Sequence, residues 1–197
     1  MVDKPAGLPV HATQEQDGRD VVSLLSGSGP KLHPVHRLDR ETSGLLLLAK
    51  SPKSAAELMS LWNSANVEKI YEAVVEGVIE EDGGVWTWAL SDRSEGRQNP
   101  QGPRDAQKDA RTDFQVLERG PGRSRIECQL HTGRTHQIRR HAALSRHPVV
   151  GDGRYGKARA DERMALHSRS LTLKWKGIPL SWECPPPEEF RRLLTAR

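Results

Sequence analysis

Three short segments carry side chains whose types and spacing could do chemistry. In the first, residues 36–50 (HRLDRETSGLLLLAK), the carboxylate of Asp39 follows Arg37 by two residues and lies in a polar turn that ends at Gly44. The apolar run that follows predicts a buried strand over residues 45–50, and a rigid strand beside a turn can hold a catalytic carboxylate in place. An Asp in a turn also commonly accepts backbone hydrogen bonds with no role in catalysis. This segment alone leaves both interpretations open.

The second segment, residues 133–141 (GRTHQIRRH), is strongly basic. Arg134, His136 and Arg139 could donate hydrogen bonds to phosphates or to a buried carboxylate. The region also contains four histidines: His131, His136, His141 and His147. They are five, five and six residues apart, which does not match the usual spacing of zinc ligands. We therefore expect no metal ion here.

The third segment is Lys69-Ile70-Tyr71. Glutamates repeat every four residues around it, as on a helix face, but the alternating pattern and the β-branched residues over 69–79 favour a strand. On a strand Lys69 and Tyr71 face the same side, and a charge beside an aromatic ring suits stacking on a nucleobase. A tyrosine in a strand is more often simply a core residue, so this segment is also ambiguous by itself.

Turn signals divide the chain into the short elements that must position these segments. Besides the two strands above, the pattern predicts strands over residues 112–116, 125–130 and 171–175, helices over residues 54–63, 135–144 and 188–195, and a flexible loop over residues 96–108. Strands dominate and do not alternate regularly with helices. We therefore expect an α+β fold with a mixed, mostly antiparallel central sheet flanked by helices and loops.

Composition and charge narrow the class of protein further. The 197 residues carry a net charge of +4, but residues 68–95 have a net charge of −6 and residues 131–174 one of +7. Such a basic region attracts a polyanion. No apolar run approaches the roughly 20 residues of a membrane span, and two cysteines cannot build a disulfide scaffold or a four-cysteine zinc site. We expect a single cytoplasmic domain over residues 1–197, without a membrane segment.

Together and in this order, the segments resemble the RluA-type pseudouridine synthases. Further matches to the family's pattern lie outside the three segments, and with them the resemblance covers nearly the whole chain: residues 3–8 (DKPAGL, followed by Val10-His11), 147–156 (HPVVGDGRYG), 165–167 (ALH) and 185–190. The resemblance implies the pseudouridine synthase fold, with a catalytic cleft across the sheet, and isomerisation of an RNA uridine to pseudouridine without metal or organic cofactor.

The resemblance also implies roles for individual residues. Asp39 is then the catalytic carboxylate, which attacks the anomeric carbon of the ribose or assists an elimination there. Tyr71 stacks on the flipped uracil and helps to remove the proton from its carbon 5. Arg139 pairs with Asp39 and keeps it ionised, with Arg134 as the second choice for that partner. Arg37 fills the space left by the extruded base, and His36 orients the loop.

The remaining expectations concern RNA and its recognition. The residues expected to bind RNA are His36, Arg37, Arg40, Thr42, Lys69, Arg134, His136 and Gln137. The RNA is ribosomal or transfer RNA, and the protein is expected to be a monomer. Residues 4–7 (KPAG) correspond to the family's KPxG turn. Relatives usually have one more strand before this turn, so the chain is either a compact, free-standing catalytic domain or a truncated one. Two other functions are an RNA-binding module without turnover and a metal-dependent nuclease that uses the histidines.

Overall fold

One eight-stranded sheet forms the framework of this protein. The computed structural model describes residues 1–11, 19–27, 29–62, 66–93, 95–159 and 162–195. The strands are β1 (Val2–Lys4), β2 (His33–Pro34), β3 (Ser43–Leu46), β4 (Leu48–Ala49), β5 (Val67–Glu76), β6 (Gly83–Trp86), β7 (Leu90–Ser91), β8 (Gln107–Lys108), β9 (Thr112–Gly120), β10 (Arg123–Leu130), β11 (Leu166–Trp175) and β12 (Ile178–Glu183). The helices are α1 (Val21–Ser26), α2 (Pro52–Leu61), α3 (Gln137–Leu144) and α4 (Glu189–Thr195), and a short 3-10 turn covers Arg104–Ala106.

The main sheet is mixed and mostly antiparallel, as predicted. Its order is β1-β3-β11-β5-β10-β9-β6, with β12 paired to the second half of β11. The pairing of β3 with β11 is parallel, and the other pairings of the sheet are antiparallel. Two short ribbons, β2 with β4 and β7 with β8, lie outside it. Among the described residues, no helix is long and apolar enough to cross a bilayer.

Both faces of the central strand β5 are covered. Tyr71 and Val75 pack with Ile138 of α3 on one face. Val74, between them in sequence, packs with Phe190 of α4 on the other. Apolar burial on both faces is the main source of stability for such a strand, and it holds Tyr71 rigidly beneath the loop that leads into α3.

Gly44 is required where β3 meets β11. Its φ is +103°, and a Cβ there would lie 2.3 Å from the Ser168 carbonyl oxygen. Any other residue would therefore push the two strands apart. The close approach places the end of the Asp39 turn against β11.

The predicted strand over residues 45–50 is interrupted. The backbone of Leu47 leaves the main sheet, because its carbonyl accepts from the Val35 N–H at 3.1 Å and its N–H donates to the His36 ring at 2.9 Å. The single predicted strand is therefore two, β3 and β4, that belong to different sheets. The predicted helix at 54–63 is α2, which begins earlier, with Ser51 as its N-cap; the predicted end at Asn63 lies outside the described residues.

The prediction of a flexible loop over residues 96–108 is wrong in part. This stretch includes the 3-10 turn and β8, and the side chain of Arg140, which is fully buried, fastens it to α3. The Arg140 guanidinium donates to the carbonyls of Pro100 and, at 2.6 Å, Gln101, and also to that of Ser91 at 2.7 Å. Composition alone does not reveal such an anchor, because it comes from a distant helix.

Candidate active site

A cleft of about 300 Å³ opens over β5, between the loop that carries Asp39 and the loop that leads into α3. Ten of the eleven residues singled out from the sequence line it: His36, Arg37, Asp39, Thr42, Lys69, Tyr71, Arg134, His136, Gln137 and Arg139. The eleventh, Arg40, is exposed and pairs with Glu41 at 2.8 Å. The fold thus brings the three segments together at one site.

The Asp39 turn is fixed by its own backbone and by the N-terminal segment. The Thr42 N–H donates to the Asp39 carbonyl at 3.1 Å, which closes a β-turn. The Gly7 N–H and the Lys4 ammonium both donate to the Arg40 carbonyl, at 2.8 and 2.9 Å. A carboxylate on such a turn has little freedom to move away from its partners.

Lys4 is a positioning residue that the sequence analysis did not single out. Its buried ammonium also donates to the carbonyls of Pro5, at 2.9 Å, and Leu8, at 2.7 Å. Burial lowers the pKa of Lys4 to about 8, against the opposing effect of the charges of Glu41 and Asp39. The sequence feature that could have identified Lys4 is its place in residues 4–7, which match the family's KPxG pattern.

Arg139 pairs with Asp39, as expected. Its Nη1 donates to Asp39 Oδ2 at 2.9 Å, and the Asp39 side chain is about 20% exposed at the cleft. Burial opposes the charge on Arg139, but hydrogen bonds and charge from Asp152, together with Asp39, raise the pKa of the guanidinium above its ordinary value. The guanidinium is therefore a permanent cation beside the carboxylate.

Asp152 is another residue of the site that the sequence analysis did not single out. It accepts from Arg139 Nε at 2.7 Å and from Nη2 at 2.9 Å, and its side chain is fully buried. Burial alone would raise the pKa of Asp152, but Arg139 and the N–H groups of Tyr155 and Arg154 hold it below its ordinary value. Two features of the sequence pointed to Asp152: it is an acidic residue in the most basic region, and it lies in the segment 147–156 that resembles the family.

His136 lies directly beside Asp39. Its Nε2 is 3.6 Å from Asp39 Oδ1, and its Nδ1 shares a 2.9 Å hydrogen bond with the Tyr155 hydroxyl. Burial lowers the pKa of His136, and the cations Arg139 and Arg154 act in the same direction, whereas Asp39 opposes them. The imidazole is therefore neutral near pH 7.

Lys69 and Tyr71 lie next to each other on the same face of β5, as the alternation predicted, and both are buried. Burial raises the pKa of Tyr71 to about 12, against the effect of a hydrogen bond with Ser168. The hydroxyl thus keeps its proton at neutral pH. The Lys69 ammonium lies 5.9 Å from the centre of the Trp62 ring, within the range of a cation–π contact.

His36 makes the contacts of a positioning residue. Its Nε2 accepts from the Leu47 N–H at 2.9 Å, and its ring stacks on Trp62 with centroids 4.0 Å apart. Burial, and then the charge of Lys69, lower the pKa of His36 to about 3. The ring is neutral, and its hydrogen bond with the Leu47 N–H connects the start of the Asp39 loop to the segment that leads into β4.

Gln137, which the sequence analysis expects to bind RNA, uses its side-chain amide for hydrogen bonds within the protein. Its Oε1 accepts from the Thr132 hydroxyl and the Arg134 N–H, and its Nε2 donates to the Arg111 carbonyl and to the Thr112 hydroxyl. An amide side chain has two acceptor sites and two donors, so none is left for a ligand. Gln137 instead shapes the loop beneath the cleft.

The remaining residues lie at the cleft in different settings. Arg134 donates from Nε to the Asp109 carbonyl at 3.0 Å, and it is Arg139 that holds the Asp39 carboxylate. Arg37 is exposed at the mouth, whereas Thr42 is buried. The Arg37 side chain is therefore accessible to a ligand at the cleft. Thr42 stabilises the Asp39 turn through its backbone N–H. No group of His, Cys, Asp and Glu that could hold a metal ion occurs within the described ranges.

Comparisons with known proteins show what the chain is similar to. The family model described as RNA pseudouridylate synthase matches residues 1–144. Ribosomal large subunit pseudouridine synthase D of Pseudomonas aeruginosa is 36% identical over 222 residues, which cover 99% of this chain and 68% of that protein. An uncharacterized RNA pseudouridine synthase of Zymomonas mobilis is 38% identical, over 98% of this chain and 92% of its own length.

Two solved human structures are also similar. RNA Pseudouridylate Synthase Domain Containing 4 superposes with a TM-score of 0.79 at 24% identity, over 98% of this chain and 87% of that one. RNA Pseudouridylate Synthase Domain Containing 1 gives a TM-score of 0.75 at 27% identity, over 95% and 85% of the two chains. The likeness at 24% identity supports the fold alone.

Proposed function

This chain belongs to the RluA-type RNA pseudouridylate synthases, and from that membership we propose that it isomerises specific uridines in structured RNA by base flipping. Members of the family are isomerases that act on RNA. The observation that most directly supports the site assignment is the Asp39 carboxylate, held by Arg139 at 2.9 Å in a cleft that Tyr71 also lines.

The proposed substrate is ribosomal RNA of the large subunit, with transfer RNA as the second candidate. Several of the similar proteins carry the name ribosomal large subunit pseudouridine synthase D, and this chain spans about two thirds of their length. The exposed arginines Arg37 and Arg40 beside the cleft would attract the phosphate backbone of either RNA.

The proposed chemistry begins at the glycosidic bond. When the bond between C1′ and N1 breaks, its electron pair leaves with uracil and positive charge builds on the ribose. A fixed carboxylate stabilises or captures such a charge, as in retaining glycosidases. Asp39 supplies that carboxylate by attack at C1′ or by assisting an elimination, and Arg139 orients it. The uracil then rotates, C1′ bonds to carbon 5, and the proton on carbon 5 leaves.

The target uridine must leave its stack to reach Asp39. Base-flipping enzymes read an extruded base by stacking and by hydrogen bonds in a closely fitting pocket. Tyr71 on β5 is the proposed stacking partner, and the exposed Arg37 is the proposed side chain that takes the place of the extruded base. Both roles come from the family resemblance and are compatible with the exposure of Arg37 and the burial of Tyr71.

The RNA class can be tested directly. We would incubate the protein separately with unmodified transcripts of large-subunit ribosomal RNA and of transfer RNA, digest both, and separate the nucleosides by chromatography. We expect pseudouridine in the ribosomal transcript. Pseudouridine only in transfer RNA would overturn the substrate assignment while leaving the isomerase activity intact.

A further inference from the structure

Given the isomerase activity proposed above, we propose that His136 is a second catalytic residue, whose Nε2 accepts the proton that leaves uracil carbon 5. The resemblance assigns the removal of this proton to Tyr71. The arrangement of side chains around Asp39 points instead to the imidazole.

The backbone of His136 adopts an uncommon conformation that directs its ring into the cleft. With φ at 54° and ψ at 30° it occupies the left-handed region, immediately before α3. Residues other than Gly seldom occupy this region, although Asn, Asp and His do so more often than the rest, and backbone strain of this kind concentrates at functional sites. This conformation places the His136 ring beside Asp39, and Arg139, in the first turn of α3, contacts the same carboxylate.

The two ring nitrogens of His136 have different surroundings. Nδ1 shares a hydrogen bond with the Tyr155 hydroxyl, whose ring also packs edge-on against the imidazole with centroids 5.7 Å apart. Nε2 faces Asp39 Oδ1 at 3.6 Å. The contact between Nδ1 and the Tyr155 oxygen can be made with the proton on Nδ1, and the proposal requires this tautomer, in which Nε2 carries a lone pair beside Asp39.

The step balances without any co-reactant. Once C1′ has bonded to carbon 5, that carbon still carries its hydrogen. The bond between carbon 5 and hydrogen breaks, its electron pair restores the ring double bond, and the proton forms a bond to Nε2 of His136. The imidazolium then faces the Asp39 carboxylate, which is free again at this stage, and later releases the proton to water. Arg139, Arg154 and Asp152 are the other charged groups that act on the ring.

Tyr71 is poorly suited to the same task. Its hydroxyl is buried, hydrogen-bonded to Ser168 and protonated at neutral pH, so it has no available base to offer. A general base works best when its unprotonated form is populated at the working pH. His136 meets this requirement, because burial keeps its imidazole neutral.

The test uses the full chain and RNA that carries deuterium or hydrogen at uracil carbon 5. The variant is His136→Asn, because asparagine tolerates the left-handed backbone. The matched control is His131→Asn, an exposed histidine outside the cleft lining that pairs with Asp113 at 3.0 Å. Single-turnover rates and RNA affinity are measured separately for each protein, and thermal unfolding checks that each is folded.

At saturating RNA, we expect His136→Asn to turn over about 10²- to 10⁴-fold more slowly than the wild type and to show a larger primary isotope effect. His131→Asn should match the wild type. A loss confined to RNA affinity, or a slow reaction without a larger isotope effect, would overturn the role of His136 as proton acceptor. A wild type that makes no pseudouridine would overturn the proposed function instead, so the two failures are distinct.

Discussion

Asp152 holds the Arg139 guanidinium with both carboxylate oxygens, at 2.7 and 2.9 Å, and leaves one nitrogen for the carboxylate of Asp39. That remaining nitrogen, Nη1, reaches Asp39 Oδ2 at 2.9 Å. A bidentate pair fixes the plane of a guanidinium as well as its position. Asp152 therefore determines where Arg139 places the charge that orients Asp39, although Asp152 itself does not line the cleft.

The first prediction concerns Asp152→Asn. The change removes the buried carboxylate partner of Arg139 and leaves the guanidinium with Asp39 as its remaining anionic partner, so the free energy of unfolding should fall, by at most about 3–5 kcal/mol. Turnover should also fall while RNA affinity stays close to that of the wild type, because Arg139 loses its fixed orientation. Urea denaturation and single-turnover kinetics measure the two effects. Wild-type stability and rate in the variant would show that Arg139 does not depend on Asp152.

A pH dependence of stability follows from His36. The pKa of His36 is about 3 in the folded protein and near 6.5 in the unfolded chain, so between these values the unfolded state binds more protons. Stability contributed by the neutral ring is present above pH 6.5 and is lost as the pH falls towards 3. From pH 7 to pH 5 this loss should be about 2 kcal/mol.

The variant His36→Gln isolates that contribution. A glutamine oxygen can still accept from the Leu47 N–H but does not titrate. Urea denaturation at pH 7 and pH 5 should show a smaller decrease in the free energy of unfolding for the variant than for the wild type. Equal decreases in the two proteins would mean that His36 is not held neutral by the fold.

The buried Arg140 predicts a specific change in protease sensitivity. In Arg140→Met the segment 92–108 loses its bonds to α3, so trypsin should cleave faster within it. The segment offers four cleavage positions, after Arg93, Arg97, Arg104 and Lys108. Mass spectrometry of the fragments identifies the cut.

The control for this experiment is Arg192→Met, which removes an exposed arginine of α4, 3.9 Å from Glu188. Its cleavage within residues 92–108 should equal that of the wild type. If Arg140→Met were cut no faster than this control, the guanidinium would not be what fastens the segment.

Local pattern was sufficient for much of the fold and for the centre of the site. A serine cap and a proline at the start of α2, and alternation along β5, are signals that neighbouring residues carry. The segment order and the family resemblance led to Asp39, Tyr71 and Arg139, and these three line one cleft.

What sequence reasoning missed depends on contacts between distant parts of the chain. The parallel pairing of β3 with β11 joins residues more than 120 positions apart. The strands β1 and β12 are defined by their hydrogen bonds to β3 and β11, which the local sequence does not reveal. Asp152 lies between Gly151 and Gly153, a pattern that indicates only a turn. Its role follows from its contact with Arg139. Gln137 is held in the interior by hydrogen bonds from its Nε2 to the Arg111 carbonyl and to the Thr112 hydroxyl, and both partners are distant in the sequence.

We propose that uridine isomerisation by this protein requires the carboxylate of Asp39. The most direct measurement uses RNA labelled with tritium at uracil carbon 5 and counts the tritium released to water by the wild type and by Asp39→Asn, at matched RNA binding and with and without EDTA. We expect release by the wild type, unaffected by EDTA, and none above background by Asp39→Asn. Release by Asp39→Asn at the wild-type rate, or RNA binding by the wild type with no release, would contradict this proposal.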